Sequence, residues 1–353
     1  MNRALRLPLV VAVAVAAAGA TPAHATYTGR NGQIAFVRYK EPCSETTGCA
    51  TVIATMRADG SGERRLTRCS SAAGCDFRPE WSPDGSRIAF EHYKGIGKAL
   101  EVMNADGSGR RGLAVHAVGL VDWLDSRHLV VKRGSVLSTV DTRTGEVRHL
   151  VTLPSSFAFE VAVHGAKVAF AIPEGRGPKL KPGLYIMDDN GSGGTRLTRG
   201  PPWRSSCEHV PAGIPCPVYT GVHAIDWSPD GRKIVFVAGV GCPPGPLTNH
   251  DCGDNEIFII DVASQAFHEV RGNPWTPQQC QCGDAGALDG PTWSPDGRKL
   301  LFKEESNLGF TIISPDGSGG SFAAGSPGLC GGPVGEGEKE TCGAAHPRWQ
   351  PTR

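Results

Sequence analysis

The chain has 353 residues and carries 36 Lys and Arg against 35 Asp and Glu, a formal net charge of +1. That balance gives no electrostatic field for nucleic acid or an anionic membrane, so neither is expected as a partner. Its 47 Gly and 27 Pro are spread along the chain rather than gathered in tracts, which argues against a helical bundle and against disorder and favours a protein of many turns.

Residues 1–25 read as a signal peptide. Arg3 and Arg6 form a positive start, residues 7–20 an apolar core short for a bilayer span, and Ala23-His24-Ala25 a small-x-small cleavage site. The mature segment, 26–353, shows no second long apolar run and no cysteine at the cleavage point to carry a lipid. The expectation is a secreted or periplasmic monomer, with no membrane anchor after cleavage.

Strand patterns fill the rest. Residues 31–39, 51–57 and 63–67 make a set of three. Full sets of four follow at 78–82, 86–93, 98–104 and 110–114; at 120–124, 127–133, 135–141 and 146–152; at 157–163, 167–172, 183–188 and 195–198; and at 222–228, 232–238, 255–261 and 266–270. The last set runs 291–294, 298–304 and 308–314, with a weak fourth strand at 321–323. A lone strand at 346–350 then supplies the Pro-x-Trp first strand that the N-terminal set lacks.

The punctuation repeats too. Trp-Ser-Pro-Asp-Gly begins at Trp81, Trp227 and Trp293, each time followed by an apolar strand. Proline presets the first corner of a tight turn and glycine takes the positive φ that closes it, so the unit reads strand, turn, strand. Met103-Asn104-Ala105-Asp106-Gly107-Ser108-Gly109 and its near copy from Met56 supply a third strand and second turn. Units of four strands, with one set split between the chain ends, predict an all-β, six-bladed β-propeller of antiparallel blades, closed by a C-terminal strand completing the N-terminal blade.

These phrases resemble the WD40-like PD40 repeats of TolB-type six-bladed propellers, and the resemblance covers essentially the whole mature chain. It implies the fold. In the Tol system the propeller follows an additional α/β domain and docks on a peptidoglycan-associated lipoprotein. Here the first blade starts within a few residues of the cleavage site, so a Tol-type role is not expected. Propellers resembling this one also include peptidase domains and polysaccharide lyases. The sequence has no Gly-x-Ser-x-Gly elbow, and its histidines, among them His116, His209, His223, His250 and His346, show no spacing that demands such chemistry.

Blade topology separates two faces. Turns joining first to second and third to fourth strands are uniformly short. The opposite face holds residues 40–50, 173–182, 200–221, 239–254, 272–290 and 324–345, and all twelve cysteines. In an oxidising compartment an even count reads as disulfides. Local pairing joins Cys43 with Cys49, Cys69 with Cys75, Cys207 with Cys216, Cys242 with Cys252 and Cys330 with Cys342. Cys280 and Cys282 are separated by one residue and either bridge each other or exchange with Cys242 and Cys252. A metal cluster drawn from Cys207, His209, His250, Cys252, Cys280 and Cys282 is the competing reading. Trp203 and Trp275 lie on the same face, where an aromatic ring can stack on a sugar.

The residue before each signature tryptophan should face the channel, because side chains alternate along a strand. These residues are Glu80, Asp122, Asp226, Thr292 and Arg348, with Glu160 as the counterpart in the degenerate blade. Carboxylates at Glu80, Asp122, Glu160 and Asp226 predict solvated acidic lining, or a site for a divalent cation such as Ca²⁺ or a partner's basic group. The expected function is non-enzymatic: binding of a protein, peptide or cell-wall glycan on the disulfide-stapled loop face. The alternative is a secreted lyase or hydrolase with a metal or histidine site at the loop-face mouth of the channel.

Overall fold

Each Ser-Pro-Asp-Gly turn is a closed hydrogen-bond circuit, and this is why the sequence makes hairpins there. Ser82 N–H donates to the Arg87 carbonyl and Gly85 N–H to the Ser82 carbonyl, both at 2.8 Å. Ser82 Oγ donates to Asp84 Oδ1 at 2.6 Å while accepting Arg87 N–H at 2.9 Å. Gly85 sits at φ +66°, which L side chains avoid. The same circuit forms around Ser228 with Asp230 and around Ser294 with Asp296. Burial alone would raise the Asp84 carboxyl, but the Ser82 and Ser86 hydroxyls hold it below its ordinary value.

The computed structural model describes residues 28–44, 48–70, 72–116, 118–155, 160–172, 181–198, 218–241, 253–271, 288–304, 310–323 and 344–352. The expected signal peptide and its cleavage point lie outside these. Among them are 24 strands and no helix. The first blade starts with β1 (Arg30–Ser44), β2 (Gly48–Met56) and β3 (Arg64–Arg65). The second is β4 (Cys75–Trp81), β5 (Arg87–Lys94), β6 (Gly97–Asn104) and β7 (Arg111–His116). The third is β8 (Gly119–Trp123), β9 (His128–Arg133), β10 (Val136–Asp141) and β11 (Val147–Thr152). The fourth is β12 (Val161–His164), β13 (Lys167–Ile172), β14 (Gly183–Asp188) and β15 (Thr195–Arg196). The fifth is β16 (Val218–Trp227), β17 (Lys233–Gly241), β18 (Gly253–Asp261) and β19 (Phe267–Arg271). The sixth is β20 (Leu288–Trp293), β21 (Leu300–Glu304), β22 (Phe310–Ile313) and β23 (Ser321–Ala323). Finally β24 (Ala344–Thr352) pairs antiparallel with β1 and completes the first blade, so the ring closes as expected.

The core lies in the seams between blades, and the signature tryptophans fill it. Trp81 packs with Ala35 and Ile53 of the first blade, Trp123 with Ala89 and Val102 of the second, and Trp227 with Ala162 and Ala169 of the fourth. Trp293 meets Val235 and Ile257, and Trp349 meets Leu301 and Phe310. Val163 takes this place in the degenerate fourth blade, against Val130. Two indoles also bond across their seam: Trp123 Nε1 donates to the Glu80 carbonyl at 2.9 Å and Trp227 Nε1 to the Ala162 carbonyl at 3.3 Å.

The loop face departs from expectation in one way. Segments 40–50 and 239–254 read as loops in the sequence. Instead β1 and β2 stay paired out to Ser44 with Gly48, and β17 and β18 out to Gly241 with Gly253. Main-chain pairing needs no apolar alternation, so these arms are invisible to a pattern search. As the strand spacing implies, the second and third blades present bare two-residue turns there, with Gly95 and Gly134 each at φ +59°. Cys69 and Cys75 are disulfide-bonded across the connection from β3 to β4, with Cα atoms 4.5 Å apart. The backbone of Cys43 and Cys49 lies in the β1 and β2 hairpin, and the remaining eight cysteines fall outside the described residues.

Candidate functional site: the central channel

Four first strands carry the same local device. Arg78, Ala224, Gly290 and His346 all have positive φ, between 50° and 63°, and each lies where the pairing register shifts. Two residues later come Glu80, Asp226, Thr292 and Arg348. An extra residue in a strand kinks it and re-aims the next side chains. Here the kink turns the following position toward the axis.

Register then defines a ring of six. Glu80 stands opposite Ala89, Asp122 opposite Val130, Ala162 opposite Ala169, Asp226 opposite Val235, Thr292 opposite Leu301 and Arg348 opposite Ala35. The fourth blade therefore contributes Ala162 at this level. Glu160, expected as its acidic counterpart, sits two residues earlier and reaches the channel closer to the loop face. The degenerate blade lacks a tryptophan to fix the count, and Val163, opposite Val168, occupies the tryptophan place.

All four carboxylates border one cavity of about 300 Å³, enclosed by first strands from every blade. Arg78, Lys132 and Arg348 border it too. Arg348 Nε stands 2.8 Å from both Glu80 oxygens. Asp226 Oδ2 accepts Thr292 Oγ1 and Trp293 N–H, each at 2.9 Å. Asp122 Oδ1 accepts the N–H of its neighbour Trp123 at 2.6 Å. Among the described residues, no three His, Cys, Asp or Glu side chains gather closely enough to hold a metal ion. The guanidinium of Arg348 supplies positive charge from within the chain.

Burial pushes Asp122 well above the ordinary carboxylate range, and the nearby charges of Glu80 and Asp226 push the same way. Burial also raises Glu80 and Asp226, against the pull of Arg348. Burial would lower Arg348, but Glu80 and Asp226 hold it above its usual value. Lys132 is lowered by burial, with Glu160 opposing.

These shifts set a pH dependence. A carboxyl raised by folding adds stability that is complete below its unfolded value of about 3.8, and lost as pH rises through the folded one. The turn aspartates, Asp84, Asp230 and Asp296, are lowered and behave oppositely, losing their contribution as pH falls through their folded values. The two groups therefore pull stability in opposite directions as pH changes. Asp122→Asn should raise Tm at pH 7 by on the order of 2–4 °C, the shift that about 1 kcal/mol produces. The gain should shrink toward pH 4. Equal shifts at both pH values in a thermal melt would disprove the assignment.

No protein-family profile and no curated protein sequence matches the chain. Among solved structures it is similar to TolB from Acinetobacter baumannii, with a TM-score of 0.60 at 16% identity over 91% of this chain and 67% of that one. The fold is that of a TolB-type propeller. A chain of a nidogen/laminin complex is similar at TM-score 0.53 and 8% identity, over 82% of this chain and 92% of that one. An oligogalacturonate lyase in complex with manganese gives a weaker likeness, TM-score 0.46 at 13% identity, over 83% of this chain and 85% of that one.

Within this TolB-type propeller, several other expected residues lie outside the described set: Trp203, Trp275, His209 and His250. His346 is described, as one of the kinked positions. Sequence reasoning misses Lys132, which lies on a second strand, and Arg78, which reads only as a strand start. It also misses a buried network in the second blade. There Arg110 Nη1 and Nη2 donate to the two oxygens of Asp76 at 2.9 Å each, and His92 Nδ1 lies 2.8 Å from Oδ1. Asp76 is fully buried, and the network pins β4, β5 and the start of β7 beside the disulfide.

Proposed function

We propose that this chain is an exported, non-enzymatic propeller that binds a protein, peptide or cell-wall glycan on its loop face, in the periplasm or outside the cell. The observation that carries this reading is the inequality of the two faces. One end of the ring is closed by tight turns whose side chains satisfy one another. The other bears the extended arms of the first and fifth blades and the bond between Cys69 and Cys75. Loops held rigid by a scaffold are where recognition concentrates. Paired cysteines favour an oxidising compartment. The same fold takes part in protein assembly in the nidogen/laminin complex, so the architecture is suited to this use.

Co-sedimentation with purified cell-wall sacculi, alongside crosslinking in intact cells, tests the reading with two variants. One replaces the long loop-face connections by short Gly-Ser turns; the other replaces Asp59 and Asp106 on the turn face by alanine. Binding should be lost in the first and kept in the second. The reverse pattern would overturn the proposal. So would metal-dependent cleavage of a glycan by the purified protein, which would establish the lyase or hydrolase instead.

A further inference from the structure

We propose that the central channel is a binding site for a small organic zwitterion, an ammonium compound that also carries a carboxylate. This goes beyond the loop-face reading and does not depend on it.

The charges in the cavity are arranged by depth. β4 runs from the disulfide connection toward its Ser-Pro-Asp-Gly turn, so Arg78 lies nearer the loop face than Glu80. Lys132 pairs with Gly119, three residues on the loop side of Asp122. Neither Arg78 nor Lys132 makes a hydrogen bond or ion pair with a described residue. Two cations without hydrogen-bond partners thus stand at the loop-face end against one carboxylate there, Glu160, whose charge acts on Lys132.

The deeper ring is acidic and has a gap. Arg348 is engaged by Glu80, and Asp226 is held by Thr292 and Trp293. Among the described residues, Asp122 receives only the N–H of its own neighbour. Between the blades of Asp122 and Asp226, the fourth blade places the small side chain of Ala162. A space flanked by two carboxylates suits one ammonium group. A bare divalent ion is less well served, because the Arg348 guanidinium shares the ring.

The tryptophans supply a spectroscopic reporter for the cavity. Trp81, Trp293 and Trp349 border this cavity, are 4%, 4% and 6% exposed, and leave Nε1 without an acceptor. Their counterparts Trp123 and Trp227 each donate to a carbonyl. Those three indole N–H groups are closed off in the blade seams, so the rings report on the channel they border without donating to a ligand in it. The raised Asp122 carboxyl would ionise as an ammonium arrives, so binding should strengthen from pH 5 to pH 7.

Calorimetry and tryptophan fluorescence on the mature chain, with 6-aminohexanoate, hexylammonium and hexanoate as probes, provide the test. The zwitterion should bind at least tenfold more tightly than either single-charge probe and shift the indole emission. Asp122→Asn and Lys132→Met should each weaken it at least tenfold while melting cooperatively. Equal binding of the three probes, no binding of any, or unchanged affinity in Asp122→Asn would overturn the proposal. A Tm rise with Ca²⁺ that Asp122→Asn abolishes, with no response to the organic probes, would replace it with a metal site.

Discussion

A chain lacking Ala344–Thr352 should show no cooperative unfolding transition. This segment is β24, and its loss has three consequences at once. β1 from Arg30 to Arg38 becomes an open edge of unpaired N–H and C=O groups. The seam between the sixth and first blades loses Trp349, which is 6% exposed against Leu301 and Phe310. The channel loses the guanidinium that offsets its carboxylates. Domains have only about 5–15 kcal/mol of net stability, so removing one strand of the ring-closing sheet can exhaust it. Far-UV circular dichroism and tryptophan fluorescence should give a broad, non-sigmoidal melt, and a synthetic peptide of the missing strand added in trans should restore a transition. A truncated chain that melts within a few degrees of the full one would show that β24 is dispensable.

Arg348→Met should cost about 3–5 kcal/mol, the usual penalty for leaving buried charge uncompensated. The variant keeps an unbranched apolar stem, so the loss reports the guanidinium with its charge and hydrogen bonds. Glu80→Gln in the same molecule should recover most of it, because the remaining carboxylates, Asp122 and Asp226, then face one fewer like charge. Urea denaturation of the two single variants and the double variant measures the coupling directly. A cost below about 1 kcal/mol for Arg348→Met would mean that the pair behaves as a surface salt bridge.

The fold is readable because its punctuation is chemical. Trp-Ser-Pro-Asp-Gly specifies a turn whose hydrogen bonds close on themselves, and Pro-x-Trp at 347–349 has no other set to join. The position facing the channel can also be inferred, since alternation places the neighbour of a seam-filling tryptophan on the axis. What the sequence conceals depends on register. Glu160 looks equivalent to Glu80 because nothing in the fourth blade marks the tryptophan place, and only pairing with β13 shows Ala162 there. Lys132 enters the channel from a second strand, a route that reading first strands alone cannot reveal. The extended arms of the first blade, out to Ser44 and Gly48, and of the fifth, out to Gly241 and Gly253, are hidden for a different reason: main-chain pairing continues where the side-chain pattern has stopped.

The split blade also bears on when the molecule can fold. Arg30 pairs with Thr352, so the contact that seals the ring joins the two ends of the described chain. Bringing such distant segments together costs loop-closure entropy before any pairing rewards it, which makes sealing a late kinetic event. Five sheets can form from neighbouring segments as they appear; the first cannot be completed until the last strand is present. A chain threaded unfolded through a translocation pore would therefore remain open until its final residues emerged, and would lock only on the far side.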